Sequence, residues 1–399
     1  MDLAFHDIRQ HLGRFLATLI GVGLLFALVL AFNGIYRGFL LEGLSFIKIT
    51  NPDLWVVERH RGGPINEQSI LPEFYHYSVA AMAGVAQASP LIYFPVEREI
   101  LGQNRRFAIV GYDVFGGLGG PQDIVAGHGI DRAHYEMVAH KKLGVKVGDM
   151  IPLGLHTFRV VGLTSQGSDV DGEPLVYLSL PDAQEVLFQR DNEEIRNQRE
   201  RLWRTLTRSA GLPGPQAYKY LPLLLPDAHI INAVVVKLAP GADAQAISER
   251  IKRWLYLSVF TTDQQVDLML QGKLAKPKAQ TTMFRIILFV VSIVIISLVI
   301  YTFTMEKIRS IAVMKLIGAP NLVIIRMVLE ESLLLTCGSF LFGLILISNT
   351  YQLFPRRVVL LASDHLITFL IALLGAILAS GLGVRQALKT EPALALGGQ

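Results

Sequence analysis

The chain has 399 residues, of which 51% are hydrophobic and 18% charged, with a net charge of +4 and a mean hydropathy of +0.42. One cysteine, Cys337, excludes a disulfide framework and a cysteine-based zinc site. The positive charge is spread along the chain without a basic block, which excludes a nucleic-acid partner.

Ahead of the first apolar run, Leu3, Phe5, Ile8, Leu12 and Phe15 recur at roughly helical spacing among Asp7, Arg9 and Gln10. Residues 1–14 therefore read either as an amphipathic helix on the cytoplasmic surface of the membrane, in contact with lipids, or as a simple cytoplasmic extension of the first span. The uncharged run Phe15–Tyr36 follows; it is longer than a signal-peptide core, has no clear cleavage site after it, and reads as a first span over residues 15–36. The other uncharged runs are Ile286–Met305, Ser332–Pro355 and Leu366–Val384. At 1.5 Å rise per residue, about 19 residues suffice to cross roughly 30 Å of hydrocarbon.

Residues 37–282 are mostly polar and form one large domain between the first two spans. Arg37–Thr50 keeps helical spacing as a stalk that Asn51 and Pro52 end, and Thr261–Lys278 reads as its counterpart on the return path. Between them, Leu54–Glu58 is strand-like, Pro90–Val114 and Met150–Leu163 read as short strands broken by turns, and Ile230–Leu238 reads as one buried strand. Pro181–Gln189 and Ala242–Leu257 have helical periodicity. The domain is thus α+β. Asp191–Arg208 is densely charged and reads as a solvated helix face or a flexible insertion, with binding of an acidic partner or lipid head group as the sharper alternative, and Gly211–Pro215 reads as a loop. Asp169, Asp171 and Glu173, flanked by Gly167 and Gly172, read as an exposed acidic turn.

The remaining chain divides into a second span at 283–305, a segment at 306–326, a third span at 327–349, a short outer loop at 350–364, a fourth span at 365–385 and a tail at 386–399. Arg9, Arg14, Lys307, Arg309, Lys315, Arg326, Arg385 and Lys389 fall on one side, which the positive-inside rule makes cytoplasmic, with both termini there; Arg356 and Arg357 in the short outer loop run against the pattern. The fold expected is a membrane protein of four transmembrane helices with a large α+β extracytoplasmic domain between spans 1 and 2.

Catalytic signatures are missing. The chain holds no G-x-x-x-x-G-K-[ST], no H-E-x-x-H, no G-x-S-x-G and no kinase signature. His128, His134 and His140 fall six apart, off any common helix face. The spans hold few ionisable groups, which argues against an ion-coupled carrier.

The most specific stretch is Glu306–Glu331, EKIRSIAVMKLIGAPNLVIIRMVLEE. Ile308, Ile311, Ala312 and Lys315 share a helical face, Gly318 is placed to stop that helix in a left-handed cap, Pro320 prevents continuation, and Asn321 can start the next helix. This order resembles the FtsX-like, or MacB-like, permease family, in which a basic-acidic stretch, a hydrophobic helix and a K-x-x-G-A turn follow the second span. The tail VRQALKTEPALALGG, and KKLGVKVGDMIPL and FRVVGL in the domain, resemble further motifs of that family. Ser310–Met314 departs from it in lacking an acidic residue.

That resemblance implies a non-catalytic permease subunit of an ABC transporter in a bacterial inner membrane, acting as a homodimer with a separate cytoplasmic ATPase that binds the ATP and Mg. It implies no cofactor in this chain. ATPase coupling would fall to Glu306, Lys307, Arg309, Lys315, Gly318, Ala319 and Pro320. It further implies transmission of motion rather than passage between the helices, and export with a periplasmic adaptor, or membrane fusion protein, and an outer-membrane channel. The alternatives are FtsX-like control of a cell-wall hydrolase and lipoprotein release.

Overall fold

The computed structural model describes residues 12–132, 134–154, 156–188, 200–201, 203–205, 207–208, 230–354 and 356–389. The segment before residue 12, most of the charged stretch 191–208, the Gly211–Pro215 loop and the tail beyond residue 389 lie outside the described residues. In chain order the elements are α1 (Leu12–Gly43), α2 (Ser45–Thr50), β1 (Leu54–Val57), β2 (Leu71–Pro72), α3 (Tyr75–Ala80), β3 (Val85–Ile100), β4 (Gln103–Tyr112), β5 (Ile124–Gly127) and β6 (Glu136–His140). There follow β7 (Met150–Leu153), β8 (His156–Thr164), β9 (Leu175–Ser179), α4 (Leu180–Phe188), β10 (Ile230–Ile231), β11 (Ala233–Leu238), α5 (Ala244–Leu255), β12 (Ser258–Thr261) and α6 (Thr262–Gln271). The last helices are α7 (Ala275–Glu306), α8 (Ile308–Leu316), α9 (Asn321–Thr350) and α10 (Ala362–Lys389).

The chain divides into two units, 1–40 with 277–399, and 41–276. In the second unit, a sheet runs in the order β12-β1-β11-β3-β4-β9-β6-β8-β5, with β7 on β8. Most neighbours are antiparallel, with β4/β9 and β6/β8 parallel. Leu54, Val56, Ile92, Ile109, Val176, Val234 and Val236 from the strands pack with Val79, Ala183, Val186, Ile247 and Ile251 from α3, α4 and α5. Gly111 lets α4 approach β4, since a Cβ there would stand 2.3 Å from that of Ala183. Asp243 caps α5 by accepting from the amides of Gln245 and Ala246.

Four expectations change. Pro90–Val114 is not a set of short strands: β3 and β4 form one long hairpin paired from Leu91↔Tyr112 to Ile100↔Gln103. Leu101 and Gly102 close it with φ of 52° and 76°, the primed-turn geometry usually marked by Asn-Gly rather than Leu-Gly. Ile230–Leu238 is two strands, because buried Asn232 accepts from the Tyr93 amide and donates to Ser69 O, freeing β10 to pair with β2. The acidic turn is exposed only in part: Asp171 is exposed and Glu173 half-buried, but Asp169 is buried, its Oδ1 accepts from the amides of Asp171 and Glu173, and burial raises its pKa above the ordinary carboxylate value.

The fourth is the return stalk. Thr261–Lys278 breaks at Gly272, and its first part, α6, packs on β1 and β12 through buried Gln265 and Met269. A capping box of Thr261 and Gln264 starts it.

In the first unit, α1, α7, α9 and α10 are long and apolar enough to cross a membrane. Val22 and Phe26 of α1 pack with Ile296 and Ile300 of α7 and with Ala372, Ala376 and Ala379 of α10. Small residues let α1 and α9 touch backbone to backbone: a Cβ on Gly343 would stand 2.6 Å from Gly23 O. Polar contacts join α1 to α10. Arg37 donates to both oxygens of Asp364 at 2.9 Å, and Asn33 Nδ2 donates to Thr368 Oγ1 at 3.2 Å.

Candidate functional site

The segment after α7 folds into a short helix and a capped turn. Lys307 interrupts helical geometry with ψ near 1°, and α8 follows, made of residues that all tolerate a helix. Its end is a Schellman motif: the Gly318 amide donates to Lys315 O and the Ala319 amide to Met314 O, both at 3.0 Å. Gly318 has φ of +90°, a conformation that costs an L-residue roughly 1–2 kcal/mol. Pro320, extended at ψ 147°, caps α9, and the Val323 amide donates to its carbonyl.

Two contacts hold α8 against α9 from behind. Ile311 packs with Ile324 and Met327, with Met314 beside them. Lys307 Nζ pairs with Glu331, and both side chains are largely buried, at 14% and 11% exposure. Glu306 receives a hydrogen bond from Arg14 at 2.6 Å, which ties the end of α7 to the start of α1. Within α9, Arg326 pairs with Glu330 at 2.8 Å.

The seven residues singled out from sequence therefore have distinct positions. Glu306 and Lys307 face other helices and bind the turn to the bundle; Arg309 is exposed; Lys315 is half-buried in the last turn of α8; Gly318, Ala319 and Pro320 shape the turn itself. Sequence reasoning missed the outward side. Val313, Leu316, Ile317 and Leu322 are exposed, Ile317 at 82%. Val313, Leu316 and Ile317 stand at i, i+3 and i+4, opposite the inward Ile311 and Ala312, so the spacing held the signal.

The histidines are not brought together. His128 faces Asp131, His134 Nδ1 lies 3.0 Å from Asp182, and His140 Nδ1 accepts from the Lys142 amide while Nε2 contacts Ser165 O. Among the described residues no group of three His, Cys, Asp or Glu side chains could hold a metal ion. Burial, reinforced by Lys142, lowers the His140 pKa, so this ring is held neutral.

Comparison with known proteins agrees from end to end. A MacB-like periplasmic core domain matches residues 15–254, and an FtsX-like permease C-terminal domain matches residues 282–392. Uncharacterised ABC transporter permeases of Mycobacterium bovis and Mycobacterium tuberculosis are 24% and 22% identical over 396 and 395 residues, 99% of each chain. Among solved structures, the periplasmic region of MacB from Actinobacillus actinomycetemcomitans is 11% identical, covering 56% of this chain and 94% of that one with a TM-score of 0.32. The extracellular domain of YknZ from Gram-positive bacteria is 9% identical, covering 53% and 100%, with a TM-score of 0.33.

Proposed function

The chain belongs to the FtsX-like, MacB-like permeases of ABC transporters, and from that premise we propose that it is the membrane subunit onto which a separate cytoplasmic ATPase docks through the turn 306–326. It is a multi-pass membrane protein. The observation that carries the docking reading is the exposed apolar set Val313, Leu316, Ile317 and Leu322 on a capped turn fastened from behind. An exposed apolar patch on a rigid mount is a partner surface.

The positive-inside rule, applied to Lys307, Arg309, Lys315 and Arg326, supports a cytoplasmic side of an inner membrane for this turn and both termini. ATP and Mg belong to the partner. Because α8 is fixed to α9 by the Lys307–Glu331 pair and the Ile311 cluster, closure of the ATPase displaces the two helices together. The motion passes along α1 and α7, each 32 residues and about 48 Å long, which exceeds the roughly 30 Å of hydrocarbon. The domain of residues 41–276 then acts on substrate outside the cytoplasm, in a homodimer, toward export or extraction with an adaptor and outer-membrane channel.

This is tested by Ile317→Glu in full-length protein co-expressed with the ABC ATPases of its source cell. The expected outcome is at least a tenfold drop in co-purified ATPase with unchanged thermal unfolding of the permease. Undiminished co-purification of Ile317→Glu, and of Leu316→Glu beside it, removes the turn from the interface.

A further inference from the structure

The four spans alternate in direction, so the end of α1, the start of α7, the end of α9 and the start of α10 lie at one membrane boundary, opposite the 306–326 turn. The uncharged runs agree: Phe15–Tyr36 stops at Arg37, Ile286–Met305 starts after Arg285, and Ser332–Pro355 stops at Arg356. Within residues 36–40, 277–285 and 350–365 the sequence carries five basic side chains, Arg37, Lys278, Arg285, Arg356 and Arg357, and one acid, Asp364. Membrane insertion favours Lys and Arg at the other end, beside the turn. It does not account for an excess here.

Arg37 and Asp364 satisfy each other through two hydrogen bonds, and Glu42, the next acid along α1, is buried and paired with Lys142. Arg285 and Arg356 are left unbalanced. Neither has a carboxylate partner or a side-chain hydrogen bond among the described residues, and each lies over an aromatic face instead. The Arg285 Cζ is 4.8 Å from the centroid of the Tyr36 ring and the Arg356 Cζ 6.0 Å from that of Phe39. Tyr36 and Phe39 stand at i and i+3 on α1, so one helix face gathers a guanidinium from α7 and another from the α9–α10 loop. That loop is fastened to α1: the Val359 amide donates to Gly34 O at 3.0 Å, and Gly38 leaves room for the Arg357 carbonyl that a Cβ would displace.

Stacking engages the flat face of a guanidinium and leaves its N–H donors, which point outward in the plane of the group, free for a ligand. Two such forks at the depth of the lipid headgroups match a phosphate, which accepts bidentate arginine contacts. Beside Arg285, α7 exposes Ile286, Ile287 and Val290, a surface for acyl chains. A soluble phosphate gains nothing from that apolar surface, and a zwitterionic lipid brings its own cation to a place that already holds two.

We propose that Arg285 and Arg356, seated on Tyr36 and Phe39, bind the phosphate of an anionic phospholipid in the leaflet away from the 306–326 turn. The lipid joins α7 to the α9–α10 loop across α1. The site lies at the far end of the spans from the ATPase-docking turn, so either can fail alone.

The test uses purified full-length protein in dodecyl maltoside, titrated with dioleoylphosphatidylglycerol, dioleoylphosphatidylcholine or glycerol 3-phosphate and read by native mass spectrometry. The expected result is a phosphatidylglycerol site at least tenfold tighter than any for phosphatidylcholine. Arg285→Gln with Arg356→Gln removes that site, leaving one fewer phosphatidylglycerol per chain, and Arg356→Gln alone, a change in an exposed loop, weakens it at least threefold. Three results overturn the proposal: wild-type protein binds the two lipids equally; the double variant retains as much phosphatidylglycerol as the wild type; or glycerol 3-phosphate at equal concentration displaces phosphatidylglycerol, which would make this a site for soluble phosphates.

Discussion

In the sheet unit, Leu54, Trp55, Val56 and Val57 are buried one after another, whereas in α7 only 17% of the apolar window is covered by the rest of the chain. Both stretches are equally apolar to the eye; what differs is what shields them. The sheet unit supplies its own core on both faces of its central strands. The helical unit leaves Ile286, Val290, Val294 and Leu298 exposed for lipid or another subunit, and fixes its geometry at a few points. Those points are the Gly23/Gly343 contact, the Arg37–Asp364 pair, the Asn33–Thr368 hydrogen bond and the Lys307–Glu331 pair. Without a hydrophobic force between helices in lipid, close packing and polar pairs carry the specificity.

The largest expected effect follows from Gly343→Val. Its Cβ alone would stand 2.6 Å from Gly23 O and 2.9 Å from Ala27 N, backbone atoms that cannot swing aside as a side chain does. Separation of α1 and α9 is expected, at about 3 kcal/mol or more. All three tryptophans, Trp55, Trp203 and Trp254, lie in the sheet unit, so their fluorescence reports on that unit alone. Helical circular dichroism should lose its transition at lower temperature while the tryptophan transition holds. If both transitions fall together, the two units unfold as one and the contrast drawn above is broken.

Next is the pair behind the turn. Lys307→Ala leaves Glu331 largely buried beside a missing charge, and a loss of about 2 kcal/mol is expected, below the 3–5 typical of a fully buried pair because both groups keep some solvent. Lys307→Met with Glu331→Leu should recover most of it, since apolar replacements remove both desolvation costs. Asp364→Ala should cost less, because Arg37 is 42% exposed and can turn to solvent. Thermal unfolding by helical dichroism checks the order. A larger loss for Asp364→Ala would move the main anchor from the turn to the α1–α10 contact.

How much of this was legible in sequence follows the range of the interactions. The Gly318 cap depends on residues within five positions of it, and Leu316-Ile317-Gly318-Ala319-Pro320 is readable on its own. The four spans were readable because length and apolarity are local properties. Asn232 was not, because its partners Tyr93 and Ser69 are 139 and 163 residues away. The helix α6 reads as part of a stalk in sequence, since one of its two buried residues is Gln265, which an apolar count passes over. Asp169 reads as exposed in sequence because Gly167 and Gly172 flank its turn, while amides two and four residues on satisfy it in the interior.

The smallest effect sharpens the contrast through pH. His140 is buried in the sheet unit, with Lys141 and Lys142 adding positive charge and Asp123 opposing them, and burial is the main cause of its lowered pKa. The folded unit therefore holds the ring neutral below the ordinary histidine value of 6.5, where the unfolded chain takes up a proton. More protons on the unfolded side mean that stability rises with pH through this window, and is lost as pH falls from 6.5 toward the depressed folded value. Asp169 acts with the opposite sign in the carboxylate range: its raised pKa gives the folded state the extra proton, so that contribution declines as pH rises there. His140→Gln keeps an acceptor for the Lys142 amide and a donor for Ser165 O but cannot titrate. Tryptophan-monitored unfolding of the wild type should weaken between about pH 7.5 and 5.5 and that of the variant should weaken less, while the helical transition, in a unit the substitution does not touch, shows no matching difference between the two proteins. Equal pH slopes for wild type and His140→Gln would assign the acid sensitivity of the sheet unit to another group.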